Sequence, residues 1–278
     1  MTAERISFFQ HAGLTFDVID TGPLDGTPVV LLHGFPQRAT SWAAVSEQLH
    51  AAGMRTYALD QRGYSPGARP TSRFAYRITS LVGDVLALVN RIGTPVHLVG
   101  HDWGSAVAWA VAANHPDRIR TLTAVSVAHP GAFVRSMTSS SQALRSSYML
   151  LFQLPFLPEW LLGRRDGIGE QMLRAAGMTR PMIETFRTEV VADGALRGGL
   201  GYYRSMALDP GQFGRRVSVP TTYVWSDGDT ALARRGAELT PQFVTGPYEL
   251  EVYEGVSHWI PDERPVDLAA SIVRRARG

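Results

Sequence analysis

An abrupt change from strand to helix in residues 96–104 constrains the fold of this chain more than any other sequence feature. Residues 96–100 form a short apolar run, as in a buried strand, and an alanine-rich helical pattern begins at Gly104. Asp102 lies on the turn between them, and the flanking glycines permit a strained backbone and close packing of the helix. The pattern predicts an elbow that presents Asp102 at the carboxyl end of a sheet strand. The alternative is that Asp102 only caps the helix, since Asp is a preferred residue at helix N-termini.

Predicted strands and helices alternate on both sides of this elbow. Residues 28–33 are an unbroken apolar run, which is typical of a central parallel strand buried on both faces. One predicted helix places Leu81, Val85 and Leu88 on one face and ends at Gly93. The alternation implies right-handed crossovers and predicts an α/β fold with a mostly parallel sheet. The other predicted strands are residues 6–9, 14–19, 55–59, 96–100, 119–127, 221–225 and 248–253.

The alternation stops after residue 130 and resumes at Pro220. The intervening stretch is serine-rich, then rich in aromatic residues and leucine, and then helical around residues 172–176 and 182–191. We interpret it as a helical insertion in a single core domain. The predicted division is a core of residues 1–130 and 215–278 and a cap, or lid, of residues 131–214.

Composition excludes several classes of function. The 27 Lys and Arg residues nearly balance 25 Asp and Glu residues, and the arginine pairs lie far apart, so no nucleic-acid groove is expected. The absence of cysteine excludes disulfides, thiolate chemistry and iron–sulfur ligation. The first twenty residues hold no apolar run of secretory length, and polar residues and prolines interrupt the apolar stretch 148–162. We therefore predict a cytoplasmic protein without a membrane span.

Residues of catalytic type follow the ends of predicted strands. Asp102 follows the elbow strand, Asp229 and His258 follow two later strands, and His33-Gly-Phe-Pro36 follows the central strand. Binding crevices of open α/β sheets form at this edge. The chain order of nucleophile, acid and histidine is the one that enzymes with a nucleophile elbow use. Asp227 is an alternative to Asp229 as the acid.

Five motifs identify a family that the chain resembles. They are His33-Gly-Phe-Pro36, Asp60-Gln-Arg-Gly-Tyr-Ser65, Gly100-His-Asp-Trp-Gly104 and the loops of Asp229 and His258. Over essentially its whole length the chain resembles α/β-hydrolases of the epoxide hydrolase and haloalkane dehalogenase branch. The resemblance implies a mostly parallel eight-stranded sheet flanked by helices, with a helical cap inserted after the sixth strand. An elbow aspartate, in place of the serine of esterases, implies attack on saturated carbon, because the resulting alkyl ester can be cleaved by water.

The resemblance implies a two-step mechanism without a metal or an organic cofactor. Asp102 attacks the substrate carbon and becomes an ester. His258, oriented by Asp229, then activates the water that hydrolyses this ester. Family spacing favours Asp229 over Asp227 as the acid. The oxyanion of the second step would be held by two backbone N–H groups, those of Phe35 and Trp103.

The leaving group separates the two activities of this branch. An epoxide requires a proton donor for its leaving oxygen, and epoxide hydrolases of this fold use two lid tyrosines. Residues 148–153 resemble the segment with the first, Tyr148, although Met149 replaces the usual glutamine, and Tyr202-Tyr203-Arg204 resembles the segment with the second, Tyr203. The alternative is that these tyrosines only pack in the cap. The resemblance is closest to epoxide hydrolases, which convert epoxides to vicinal diols.

Two other functions stay open. A dehalogenase would need two N–H donors around the halide, and Trp103 is one candidate. The residue after His33-Gly34 is Phe35 rather than Asn, so only Trp160 in the insertion is a candidate for the second donor. The other hypothesis is a non-catalytic protein that binds a small ligand under the cap.

The expected partners are a small hydrophobic substrate and water, and a homodimer is left open. His33 is expected to support the oxyanion loop rather than to act as a base. The residues expected to contact the substrate are His33, Pro36, Trp103, Trp160 and Trp259.

Overall fold

The computed structural model describes residues 4–209 and 214–278, which contain an eight-stranded sheet. The spatial order is β1-β2-β4-β3-β5-β6-β7-β8. Strand β2 is antiparallel to both of its neighbours, and the strands from β4 to β8 in this order are parallel. The predicted α/β fold with a mostly parallel eight-stranded sheet is confirmed. The strands are β1 Phe8–His11, β2 Leu14–Thr21, β3 Thr27–Leu32, β4 Met54–Leu59, β5 Val96–His101, β6 Ile119–Val125, β7 Thr221–Ser226 and β8 Tyr248–Tyr253.

Helices cover both faces of the sheet. Helices α1 (Ala43–Ala51) and α13 (Pro265–Arg277) pack on one face, and α2 (Ile78–Ile92) and α3 (Trp103–Asn114) pack on the other. In β3, Val29 and Leu31 belong to the apolar core on the face of α1 and α13. Val30 and Leu32 belong to the apolar core on the face of α2 and α3. Side chains alternate along a strand, so a strand covered on both faces needs the unbroken apolar run seen in the sequence.

Seven short α-helices, one π-helix and one 3₁₀ helix (Met206–Leu208) lie between β6 and β7 in the described part of the chain. The stretches predicted to be helical around residues 172–176 and 182–191 fall in α8 and in α9 with the π-helix. No helix among the described residues is both long enough and apolar enough to span a membrane. The helices are α4 Pro130–Ser139, α5 Gln142–Arg145, α6 Tyr148–Phe152, α7 Leu157–Gly163, α8 Ile168–Ala175, α9 Arg180–Phe186, the π-helix Arg187–Ala192 and α10 Leu196–Ser205; α11 Arg234–Leu239 and α12 Ile260–Glu263 follow β7 and β8 respectively.

The first strand differs from its prediction by two residues. It was expected at residues 6–9 with a three-residue turn, and β1 instead runs to His11, which pairs with Leu14. The turn consists of Ala12 and Gly13, both at positive φ (50° and 74°). A two-residue hairpin turn of this kind matches the right-handed twist of the strands.

A contact between two glycines seats α10 on the loop that follows β4. A Cβ atom on Gly198 would collide with the backbone of Gly63, so only glycine permits this approach. The Tyr202 hydroxyl donates a hydrogen bond to the carbonyl oxygen of Arg62 at 2.9 Å. These contacts fix the helix that carries Tyr203 over the carboxyl end of the sheet.

Candidate active site

Asp102 lies on a strained turn between β5 and α3. Its backbone has φ 52° and ψ −118°, a region that costs energy for a residue other than glycine. A Cβ atom on Gly104 would collide with the carbonyl of Leu32, and one on Gly100 would collide with Gly104, which explains both flanking glycines. Asp102 occupies the N-cap position of α3, yet its side chain makes no capping hydrogen bond. The carboxylate instead accepts the N–H of Phe35 at 2.8 Å through Oδ1.

His258 connects Asp102 with a second carboxylate. Its Nδ1 lies 2.7 Å from Oδ2 of Asp229, and its Nε2 lies 3.5 Å from Oδ2 of Asp102. Asp229 is buried, and its Oδ1 accepts the N–H groups of Ala231 and Leu232 at 2.7 and 3.0 Å. These contacts hold the Asp229 carboxyl group with one oxygen turned toward the imidazole.

The rival acid, Asp227, lies elsewhere. Its side chain is exposed, and its Oδ1 accepts the N–H of Gly255 at 2.7 Å. That contact ties together the loops after β7 and β8. The structure therefore brings Asp229, and not Asp227, to His258.

Two buried side chains that were not among the sequence candidates hold the backbone of His258. His101 Nε2 and Ser126 Oγ each lie 2.9 Å from the His258 carbonyl oxygen. Ser126 is fully buried and has φ 66°, which is unusual for a residue other than glycine. Sequence patterns contain no signal for Ser126, because its strained conformation depends on contacts with β7 and with the His258 loop. For His101 the available signal is its position directly before Asp102 in the elbow motif.

The charges in this cluster stabilise an ion pair. Burial lowers the pKa of His258, but the negative charges of Asp229 and Asp102 outweigh burial and raise the pKa to about 10. Burial also raises the pKa of Asp102, but hydrogen bonding and charge from His258 outweigh it, and the net effect is a lowered pKa. At neutral pH the cluster therefore contains a carboxylate on Asp102 and a protonated His258. A change in the charge of either carboxylate therefore changes the pKa of His258.

The elbow opens into a cavity of about 730 Å³ between the sheet edge and helices α4, α6, α7, α8 and α10. Its walls are mainly apolar, and Asp102 and His258 are the groups of opposite charge on its surface. A volume and lining of this kind suit an uncharged, hydrophobic small molecule. The aromatic and apolar residues that the helices contribute include Phe133, Phe152, Leu162 and Leu173.

Two tyrosines from the insertion line the same cavity. Tyr148 lies on α6 and Tyr203 on α10, and their ring centroids are 6.1 Å apart. The Tyr203 ring also packs edge-on against Trp103, with centroids 5.1 Å apart. Burial, reinforced by the negative charge of Asp102, raises the pKa of both phenols. Both hydroxyl groups therefore keep their protons at neutral pH and can act as hydrogen-bond donors.

Of the residues expected to contact the substrate, Pro36, Trp103 and Trp259 line the cavity and His33 and Trp160 do not. His33 is buried behind the loop, where its Nε2 accepts the N–H of Gln61 at 3.2 Å and its Nδ1 lies 3.0 Å from the Gly34 carbonyl oxygen. In this position His33 contacts the backbone of the loop rather than the cavity, so the expected contact with the substrate is not seen.

Trp160 is 55% exposed, and the Arg164 guanidinium lies 4.7 Å from its ring centroid. It is two residues from Leu162, which faces the cavity, and two residues correspond to about 200° around a helix. Trp160 therefore points away from the cavity, contrary to the expectation for a halide donor. Across residues 4–209 and 214–278, no group of three or more histidine or acidic side chains converges in a way that could hold a metal ion.

Comparisons with known proteins agree with this architecture. The family model described as alpha/beta hydrolase fold matches residues 27–174. AB hydrolase superfamily protein YfhM of Bacillus subtilis is 34% identical, with 95% of each chain covered. Epoxide hydrolase 3 of Xenopus tropicalis is 31% identical over 93% of this chain and 74% of its own length. The crystal structure of epoxide hydrolase A from Mycobacterium thermoresistibile superposes with a TM-score of 0.85 at 26% identity and covers 98% of this chain and 97% of its own. The chain therefore belongs to the α/β-hydrolase family, on the branch that includes the epoxide hydrolases.

Proposed function

We propose that this protein is an epoxide hydrolase that converts epoxides of hydrophobic molecules to vicinal diols, with Asp102 as the nucleophile. The relatives named epoxide hydrolases support this activity. The observation that carries the chemistry is that Asp102 shares one apolar cavity with Tyr148 and Tyr203. A carboxylate nucleophile and phenolic donors are the groups that opening of an uncharged epoxide requires.

In the first step, an oxygen of the Asp102 carboxylate attacks one epoxide carbon from the side opposite the ring oxygen. The bond from this carbon to the ring oxygen breaks, and its electron pair goes to the oxygen. Tyr203 and Tyr148 hydrogen-bond to this oxygen and supply a proton as the charge develops. The product of this step is a 2-hydroxyalkyl ester of Asp102.

In the second step, the loss of charge on Asp102 changes the state of His258. One of the two carboxylates that raise its pKa has become a neutral ester, so the imidazolium loses its proton more readily, and this proton passes through water to the phenolate that the first step left. The neutral Nε2 then takes a proton from water, which adds to the ester carbonyl carbon. The N–H groups of Phe35 and Trp103 hold the oxyanion, and each such donor contributes about 3 kcal/mol in comparable sites. As this intermediate collapses, the imidazolium returns its proton to the leaving alkoxide oxygen and the diol is released. Asp102 is left as a carboxylic acid, and transfer of its proton to His258 restores the starting carboxylate and imidazolium.

The same proposal makes residues 131–214 a cap on a core of residues 1–130 and 215–278. Helices α6 and α10 supply the two tyrosines, α4, α7 and α8 supply much of the apolar wall, and the loops of the sheet supply Asp102 and His258. Asp102 and His258 are buried between the two parts, which limits access of bulk water to the reacting groups.

The geometry favours an epoxide over an alkyl halide. A halide requires N–H donors, and Trp103 offers one indole to the cavity. The Phe35 side chain has no donor, Trp160 points away, and the Trp259 indole N–H donates to the Ala176 carbonyl at 3.0 Å. The geometry gives less support to a non-catalytic binding protein, because the His258 ring lies between the two carboxylates, with Nδ1 2.7 Å from Asp229 and Nε2 3.5 Å from Asp102.

A single-turnover reaction in ¹⁸O-labelled water tests the proposed function. With an aryl epoxide we expect diol release and label in the Asp102 carboxylate, because water attacks the ester carbonyl rather than the substrate carbon. Peptide mass spectrometry locates the label, and an alkyl halide of similar size serves as the comparison substrate. Label confined to the diol would rule out the ester, and halide release without diol formation would rule out the epoxide assignment.

The choice between the two acids of the β7 loop is testable by paired variants. Asp229→Asn should slow ester hydrolysis on the order of 10²-fold, because the amide no longer stabilises the imidazolium or orients Nδ1. Asp227→Asn makes the same chemical change on an exposed side chain and should leave this rate close to that of the parent. Rapid-quench measurement of ester decay compares them. Equal losses in the two variants would contradict the assignment of Asp229.

A further inference from the structure

Gln37 and Asp262 join the two loops that carry the groups of the second reaction step. Gln37 Nε2 donates a hydrogen bond to Asp262 Oδ2 at 2.9 Å, across 225 positions of sequence. Gln37 stands two residues after Phe35, whose N–H faces the Asp102 carboxylate. Asp262 lies on α12, four residues after His258. A change in this contact can therefore alter the distance between the oxyanion donor and the base.

One atom of the Gln37 side-chain amide lacks a hydrogen-bond partner among the described residues. Its Oε1 is buried and accepts no hydrogen bond from any described residue. Exchanging the amide nitrogen and oxygen would leave one of them unpaired in the same way, because an ionised Asp262 offers acceptors and no donor. Buried polar atoms without a partner are rare and call for an explanation. A proton on Asp262 supplies the missing donor next to the amide.

The surroundings of Asp262 favour this proton. The carboxyl group makes no ion pair with any cation in the described part of the chain. Burial, with a smaller contribution from the negative charge of Glu263, outweighs the hydrogen bond from Gln37 and raises the pKa of Asp262 to about 6.

The charged groups of the surrounding elements have partners of their own. Glu263, the last residue of α12, binds Ser257, and Arg264, which follows it, lies 3.6 Å from Asp267. Before α1, Arg38 binds Asp60 and Asp193, and on α1 His50 binds Thr56 while Glu47 is exposed. On α13, Arg274 binds Glu251, Arg275 binds Glu249, and Arg277 binds the Ala52 carbonyl. On the preceding loop His258 binds Asp229.

We propose that the protonated carboxyl of Asp262 pairs with the Gln37 amide through two hydrogen bonds and acts as a positioning residue for ester hydrolysis. The carboxyl O–H donates to Gln37 Oε1 and its carbonyl oxygen accepts from Gln37 Nε2. The inference rests on the proposed function, because Phe35 and His258 both act in the second step. Ionisation of Asp262 breaks one of the two bonds, so the positioning weakens as the pH rises through about 6.

The central test compares Asp262→Asn with the parent in single-turnover experiments between pH 5 and pH 8. Asparagine is a permanent, uncharged counterpart of the protonated acid, because its amide can donate to Oε1 and accept from Nε2. We expect the rate of ester decay in the parent to fall through an inflection near pH 6, superimposed on the rise that deprotonation of His258 produces, and we expect no such fall in ester formation. In Asp262→Asn this inflection should be absent. Asp262→Ala should slow ester decay by up to about 100-fold at every pH.

Asp267→Asn is the matched control, since it removes an exposed carboxylate on the next helix and should keep the parent profile. The infrared C=O band of a protonated carboxyl provides a readout that does not depend on activity: it should be present in the parent at pH 5, weaken by pH 8, and be reduced in Asp262→Asn. An unchanged inflection in Asp262→Asn, or an unchanged band, would overturn the pairing. If no ester forms on Asp102, the proposed function fails, whereas the infrared band still tests the Gln37–Asp262 pair.

Discussion

Glutamine in place of His258 is expected to leave the protein covalently bound to its substrate. Glutamine cannot take a proton from water, so ester hydrolysis should slow by roughly 10²–10⁴-fold. Ester formation should continue, because Asp102 keeps its contact with the Phe35 N–H and its place on the elbow. Intact-mass spectra should therefore show accumulation of protein plus one epoxide.

The pH dependence of ester decay gives this variant a second readout. In the parent, decay should rise with pH as His258 loses its proton, with an apparent pKa below the value of about 10 in the free protein. The shift is downward because the ester removes a negative charge that stabilised the imidazolium. In His258→Gln this rise should be absent.

His115→Gln is the matched control, because this histidine lies at the end of α3 outside the cavity and should turn over like the parent. Absence of an adduct in His258→Gln while substrate is still consumed at the parent rate would contradict a covalent mechanism with His258 as its base.

Removal of the two cavity hydroxyls is the second change with a large expected effect. Tyr203→Phe keeps the ring that packs against Trp103 and Phe35, so loss of rate can be assigned to the hydroxyl. Ester formation should slow by roughly 10²–10⁴-fold, as for a lost general acid, and hydrolysis of the preformed ester should be spared. The double variant Tyr203→Phe with Tyr148→Phe should nearly abolish ring opening.

Tyr253→Phe controls for loss of a phenol, since this residue lies on β8 outside the cavity with its hydroxyl 3.0 Å from Ser271. Stopped-flow fluorescence of ester formation measures the first step by itself. Parent rates with epoxides in both single variants and the double variant, together with loss of alkyl halide turnover in Trp103→Phe, would show that the epoxide assignment is incorrect.

Much of the framework was predictable because its determinants are local. The apolar run of β3 indicates burial on both faces, and the structure places its alternate residues in two cores. Gly100 and Gly104 indicate the close approach of α3 to β3 and β5, which a Cβ atom at either position would prevent. The position of Asp102 on the turn follows from the same few residues. In each case the residues that set the conformation are neighbours in the sequence.

Side chains near the site whose placement depends on distant segments were harder to predict. His33 and Trp160 were both expected to contact the substrate, and both lie outside the cavity. For His33 the reason is the loop after β4, where Gln61 supplies its hydrogen-bond donor. For Trp160 the reason is its rotation on α7 relative to Leu162. Neither the depth of a loop nor the phase of a short helix can be read from composition.

The alternation of strands and helices and the elbow with its aspartate could be predicted from the sequence, because adjacent residues decide local conformation. Long-range contacts bring Asp229 rather than Asp227 to His258, place Ser126 and His101 against the His258 carbonyl, and join Gln37 to Asp262. The same is true of the charge on His258, since its pKa reflects the balance between burial and two carboxylates that are 29 and 156 positions away in the chain. Such contacts depend on how the strand ends converge at one edge of the sheet, and no sequence-local pattern encodes that convergence.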